Sequence, residues 1–161
     1  MKMLLATLML TVSLHAATPA PQIIQQNGKY SLQVDGKPFI VLGAQVINSS
    51  GWPQQFDAVL PGAAALGINT IEVPAYWEDV EPQEGQFRFD TFDHIIQSAR
   101  AHNFHLVLLW FGTWKNGTMD YAPGWVKSDP ARFPHMLDQG HQPVRVLTPL
   151  SDTNLKADST A

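Results

Sequence analysis

The sequence predicts an α/β chain in which a short β-hairpin leads into parallel strands joined by helices. Three observations predict it. The turn dipeptides Asn27-Gly28 and Asp35-Gly36 punctuate the first strands. Apolar residues at helical spacing mark helices near residues 52–66 and 90–99. Apolar runs at 38–45, 69–73 and 105–111 alternate with those helices. Strands separated by segments long enough to cross back over a sheet are what parallel pairing requires.

The elements follow in chain order. Lys2 is a short positive start, Met3 to Leu14 is an apolar stretch, and the small residues Ala16 and Ala17 follow. This pattern is that of a secretory signal peptide over residues 1–17, too short to span a bilayer. The mature protein is therefore expected to be secreted or periplasmic. In residues 18–37, Ile23–Gln26 and Tyr30–Val34 flank Asn27-Gly28, which supplies the positive φ angles of a type I′ hairpin turn. Asp35-Gly36 is a second turn. It leads into Pro38–Gln45, whose Phe39-Ile40-Val41-Leu42 run suits a strand buried on both faces.

Between Trp52 and Leu66, the residues Phe56, Val59, Leu60 and Ala63 share one helical face, and Pro61 predicts a kink or a fresh helix start. Asn69–Val73 is the next strand. Asp90 is placed to cap a helix whose apolar face carries Phe92, Ile95, Ile96 and Ala99. His105–Phe111 is a third buried strand. Gly112 to Pro149 has no helical period and reads as a long loop, a kind of segment that is usually functional. Ser151 is an N-cap for a short, weakly apolar helix opening at Asp152.

Composition narrows the function. With 161 residues, 45% hydrophobic and 15% charged, the chain has the make-up of a globular protein. A net charge of −4 offers no basic surface for nucleic acid and no polybasic membrane anchor. No cysteine is present, so disulfide, thiolate and lipidated-cysteine chemistry is absent. His94 and His102 share the polar face of a helix with no carboxylate at ligand spacing, and with His105 they fit solvated positions better than a metal site. No cofactor-binding motif occurs. Asn48-Ser49-Ser50 and Asn116-Gly117-Thr118 match the glycosylation sequon.

The most informative stretch is Asn69–Phe89. A strand, Asn69-Thr70-Ile71-Glu72, ends in an aromatic loop with Trp77, followed by Glu81-Pro82, Gly85, and Phe87 with Phe89. This resembles the second-strand region of β-galactosidases of glycoside hydrolase families 35 and 42. Gly112, Trp114 and Ala122-Pro123-Gly124-Trp125-Val126 are similar to a further element of family 35. The likeness covers roughly residues 38–130. The sequence departs from family 35 at Pro74, where Tyr is common, and at Glu78, where Asn is common. It implies that residues 38–161 are the first three to four βα units of a (β/α)₈ TIM barrel, a fold of about 250 residues. It also implies an exported enzyme that hydrolyses terminal β-galactosyl residues with retention. A β-glucan- or β-mannan-cleaving barrel is the enzymatic alternative, and a non-catalytic carbohydrate-binding or vestigial product is the other.

Retaining glycosidases use two carboxyl groups ~5–5.5 Å apart. The resemblance places these glutamates after the fourth and seventh strands, beyond Ala161, so no catalytic residue is expected here. Glu78 and Glu81 share one loop and are unsuited to act as the pair. Residues that follow strand ends form the sugar wall: Gln45, then Tyr76, Trp77 and Glu78, then Trp110, Trp114, Lys115 and Asn116. Aromatic rings match the apolar faces of sugars, and Lys, Asn and Glu reach hydroxyl groups. Trp77 fits either sugar contact or core packing. Glu72, opposite Ile71 and Val73, suits a structural hydrogen bond. Trp125 suits a lid over the core.

Overall fold

A computed structural model describes residues 19–161, and the expected signal peptide, residues 1–17, lies outside them. The chain divides into two compact units, with the boundary between Ile40 and Val41. In the first, β1 (Gln22–Gln26), β2 (Lys29–Val34) and β3 (Lys37–Pro38) form an antiparallel sheet in that order. Gln26 pairs with Lys29 and Val34 with Lys37. Each connection is thus two residues long, and Asn27, Gly28, Asp35 and Gly36 have φ of 52°, 74°, 53° and 72°. Positive φ at both positions defines the type I′ turn, whose twist matches that of its strands. The expected hairpin therefore carries a third short strand.

In the second unit the chain runs β4 (Gly43–Gln45), α1 (Pro53–Ala65), β5 (Thr70–Tyr76), α2 (Trp77–Val80), α3 (Asp90–Ala101) and β6 (His105–Phe111). Strands β4, β5 and β6 form a parallel sheet in sequence order, the arrangement the alternation of elements predicts. Phe56, Leu60 and Ala63 of α1 and Ile95 and Ala99 of α3 pack on Ile71 and Val73 of β5. Glu72 lies on the opposite face of β5, level with Gln45 and Val107. No helix among the described residues is long and apolar enough to cross a membrane.

Several expectations are corrected. The Phe39–Leu42 run is not a strand buried on both faces: only Gly43–Gln45 pairs, and Ile40 is 78% exposed. β4 is an edge strand, and among the described residues no further strand pairs with its outer side. β6 is the other edge, and Val107, Leu108 and Trp110 are exposed for the same reason. Only central β5 is a buried strand. Pro61 does not open a fresh helix, since α1 runs through it from Pro53 to Ala65. Its buried neighbours Phe56, Leu60 and Ala63 lie on both sides of it and hold the helix to the sheet. Val59 points outward. Asp90 is the first helical residue, and the cap position belongs to Phe89, which makes no side-chain capping bond. Asp90 and Asp93 instead place negative charge in the first turn, where the helix dipole favours it.

Residues 112–149 are more ordered than expected. They contain α4 (Gly124–Lys127) and an antiparallel pair, β7 (His135–Leu137) and β8 (Pro143–Leu147). Trp77, Met119, Ala122, Val126, Phe133 and Leu147 bury one another in a second core. The chain then enters α5 (Asp152–Thr160), and the Ser151 hydroxyl accepts from the Asn154 amide at 3.3 Å, as its cap position predicts.

The histidines expected on a helix face include one interhelical link. His94 Nε2 of α3 lies 2.8 Å from Asp57 Oδ2 of α1, and Ser98 Oγ lies 3.3 Å from the same nitrogen. Hydrogen bonding by Ser98, then by His94, holds the Asp57 carboxyl below the usual carboxylate range against the opposing effect of burial. A carboxyl depressed by folding stabilises above its unfolded pKa, and that contribution is lost as pH falls through its folded pKa. Acid titration of stability should therefore be flatter at its acidic end in Asp57→Asn than in the parent. The effect is small because both groups are about half exposed, and coincident curves would refute it.

Candidate functional site

All three parallel strands end on the same side of the sheet, so the segments that follow them converge. Tyr76 at the end of β5 is the hub. Its ring centroid lies 4.9 Å from that of Trp52, before α1, and 4.9 Å from that of Tyr121, with the two tyrosines nearly parallel at 19°. Phe111, level with Tyr76 in the sheet, stands 5.1 Å from Tyr121. Lys115 Nζ sits over the Phe111 ring, 4.1 Å from its centroid, as a cation–π contact.

Polar links tie the aromatic group to the loop after β4. The Tyr76 hydroxyl donates to Asn48 O at 2.8 Å and accepts from Gly51 N at 3.0 Å, while Tyr121 donates to Asn48 O at 3.3 Å. Burial pushes the Tyr76 hydroxyl above its ordinary pKa, which keeps it a donor. Gly51 is required by this close approach, since a Cβ there would lie 2.7 Å from Pro74 Cγ and 3.0 Å from the tyrosine oxygen. Gln45 Nε2 reaches Asn48 Oδ1 at 3.4 Å. Tyr76→Phe should strand the Gly51 amide and cost about 1–2 kcal/mol. Urea unfolding measures this, and an unchanged midpoint would contradict the assigned role.

Around this group the loops carry charge. Lys127 Nζ bonds Glu78 Oε2 at 3.1 Å and Asp120 O at 3.0 Å, and Asp120 also pairs with Arg145. Trp110 Nε1 donates to Asp158 Oδ1 of α5 at 2.7 Å, and Thr113 Oγ1 to Asp158 Oδ2 at 3.2 Å. Trp114 is 62% exposed.

The structure therefore links Tyr76 and Lys115 through Phe111 and Tyr121, and brings in Gln45 through Asn48, but Tyr76 is itself buried at 1% exposure and supports the group from beneath instead of forming its wall. Trp114 and Asn116 lie in the loop that bears Lys115, and both are exposed. Trp77 goes elsewhere. It is fully buried in the second core, with Nε1 donating to Glu81 Oε2 at 2.9 Å, so of its two expected roles packing is the one the geometry gives it. Trp110 hydrogen-bonds toward α5, and Glu78 is engaged by Lys127. Glu81 is buried, and its Oε1 accepts from Gly85 N at 2.7 Å. Trp125 packs against Trp77 and Phe133 and donates to Glu81 O, consistent with a cover on the core.

Trp52, Gly51, Tyr121 and Asp158 are members that the sequence does not single out; Asn48 stands out only as part of a sequon, and Phe111 only as a position at the end of the third strand. For Trp52 one local signal exists, the Trp-Pro step that opens a helix after a strand. The others become neighbours only through folding. Among the described residues no group of three or more His, Asp or Glu side chains could hold a metal ion.

The family described as β-galactosidase, glycoside hydrolase family 42, matches residues 31–136. The β-galactosidase of Xanthomonas manihotis is 32% identical over 110 residues, which are 63% of this chain and 18% of that protein. Beta-galactosidase 11 of Arabidopsis thaliana is 26% identical over 110 residues, 64% of this chain and 13% of that one. The fold is similar to that of a β-galactosidase from the Antarctic haloarchaeon Halorubrum lacusprofundi, with a TM-score of 0.57 and 17% identity over 75% of this chain and 18% of that one. The chain thus spans less than a fifth of the length of the curated relatives it matches.

Proposed function

The chain belongs to the β-galactosidase family of glycoside hydrolase family 42, and from that membership we propose that it forms the first βα units of a (β/α)₈ barrel that hydrolyses terminal β-galactosyl residues with retention. One observation carries the reading. Within the matched residues, Trp52, Tyr76, Phe111, Tyr121 and Lys115 gather where the parallel strands end, the end at which barrel enzymes bind substrate. Tyr76 and Phe111 are buried and form the floor of the group, so the apolar surface open to the C–H face of a sugar ring is that of Trp52 and Tyr121. Gln45, Lys115 and Asn116 offer hydrogen bonds to hydroxyl groups.

The division of labour follows from the carboxylates. Retention requires an acid/base and a nucleophile ~5–5.5 Å apart. Glu81 is buried against Trp77 and Gly85, and Glu78 is held by Lys127, so these two do not form the pair. In this proposal the chain supplies part of the sugar-binding wall, and the two catalytic glutamates come from outside it. Export to the periplasm or the medium rests on Lys2 and the apolar Met3–Leu14 stretch.

The test has two parts. The purified chain, given a chromogenic β-galactoside, should show no turnover, and turnover abolished by Glu78→Gln would overturn the division of labour. The complete enzyme, given β-galactosides, β-glucosides and β-mannosides in parallel, should prefer the first. A preference for β-mannosides or β-glucosides would overturn the substrate assignment and leave the family intact.

A further inference from the structure

The loop after β6 carries a four-residue turn, Lys115-Asn116-Gly117-Thr118. Lys115 N donates to Thr118 O at 2.8 Å and Thr118 N to Lys115 O at 3.1 Å. Asn116 and Gly117 have φ of 55° and 82°, the left-handed pair of a type I′ turn. Lys115 and Thr118 form an isolated bridge outside any strand. Asn116 and Gly117 are exposed, and neither the Asn116 side chain nor the Gly117 amide has a hydrogen-bond partner among the described residues.

We propose that Asn116 is a site of spontaneous deamidation, set apart from the chain's other Asn-Gly step by the weak fastening of its turn. The deprotonated amide nitrogen of Gly117 attacks Cγ of Asn116, a C–N bond forms, and the side-chain amide leaves as ammonia. The product is a five-membered succinimide. Water adds to one of its two carbonyls and opens the ring to aspartate or isoaspartate at position 116. The balance is one water consumed and one ammonia released, with no change of oxidation state. Glycine at the attacking position has no Cβ to block the approach, and its free N–H is open to deprotonation.

Attack requires the asparagine ψ to leave the left-handed turn, which breaks the turn's hydrogen bonds. At residues 115–118 the two backbone bonds of the isolated bridge and the Thr118 Oγ1 bond to Lys115 O at 3.2 Å are lost, and no ladder stands behind them. Asn27-Gly28 has the same chemistry, exposure and φ signs, but it closes a ladder of five residue pairs from Gln22↔Gln33 to Gln26↔Lys29. Opening it frays that ladder as well. Each further hydrogen bond that must open slows the reaction, so Asn116 should convert about tenfold faster than Asn27. The new carboxylate would stand next to Lys115, whose ammonium lies over Phe111. Ageing thereby changes the charge of the candidate site.

The experiment incubates the chain, produced without glycosylation machinery because Asn116 and Thr118 form a sequon, in mildly alkaline buffer. Peptide mapping and isoaspartate-specific methylation follow both Asn-Gly steps. The expected result is roughly tenfold faster conversion at Asn116, loss of that first phase in Asn116→Gln, and equal rates at the two sites in concentrated urea. Equal rates in the folded chain, or faster conversion at Asn27, would overturn the proposal. So would a tenfold difference that persists in urea, since flanking sequence and not the turn would then be the cause.

Discussion

Glu81→Ala should lower the unfolding free energy by about 3–5 kcal/mol. The carboxylate is buried and accepts from two donors, Trp77 Nε1 at 2.9 Å and Gly85 N at 2.7 Å. Removing it leaves both donors without a partner, each costing ~1–3 kcal/mol, beside a cavity against the second core. Glu81→Gln keeps the shape and one acceptor oxygen but turns an NH₂ toward the other donor, so its loss should be about half as large. Urea denaturation followed by tryptophan fluorescence measures both. A mild effect of Glu81→Ala on stability, together with loss of catalysis in the complete enzyme, would make Glu81 a participant in the chemistry and refute its structural role.

Gly112→Ala should cost about 2–3 kcal/mol and release α5 from the end of β6. An added Cβ would overlap the Asp158 carboxylate, standing 2.8 Å from its Cγ and 2.6 Å from Trp110 Nε1. Asp158 is the acceptor that fixes Trp110 and Thr113, so displacing it frees the start of the loop bearing Trp114 and Lys115. Near its other end α5 remains anchored by Asn154, whose Nδ2 donates to Pro134 O and Thr148 O at 3.0 and 2.8 Å. Limited proteolysis should therefore cut the second half of α5 first. Asp158→Asn, which keeps an acceptor oxygen, should behave more mildly. Identical proteolysis of Gly112→Ala and the parent would show that the contact does not hold the helix.

What could be read from the sequence is what the chain encodes locally. The type I′ turn at Asn27-Gly28 is written in two residues, and the Ser151 cap in one residue and its position. The limits of β6 follow from an unbroken apolar run between His105 and Phe111. Burial is a different matter, because it depends on what stands beside a strand. The apolar residues of β6 match those of a central strand, yet it is an edge, and only the pairing order shows this. The candidate site divides in the same way. Positions after strand ends are recognisable, which marks Tyr76 and Lys115 as candidates, but the burial of Tyr76 is set by its neighbours in the fold. Trp77 follows the same strand, but the turn into α2 carries it inward to Glu81, four residues on, in the second core. Asp158 is separated from Trp110 by 48 residues and sits in a helix with no strong apolar face. No local pattern could have joined the two.

Among the described residues, β4 and β6 pair with no further strand on their outer sides, which has a consequence for self-association. β4 and β6 each present a row of backbone donors and acceptors flanked by exposed Val41, Leu42, Ile47, Val107 and Leu108. Such edges are templates for strand addition between molecules. In the isolated chain, strand addition at these edges is the expected route to self-association. Dilution, or a segment that pairs with the edges, should suppress that association.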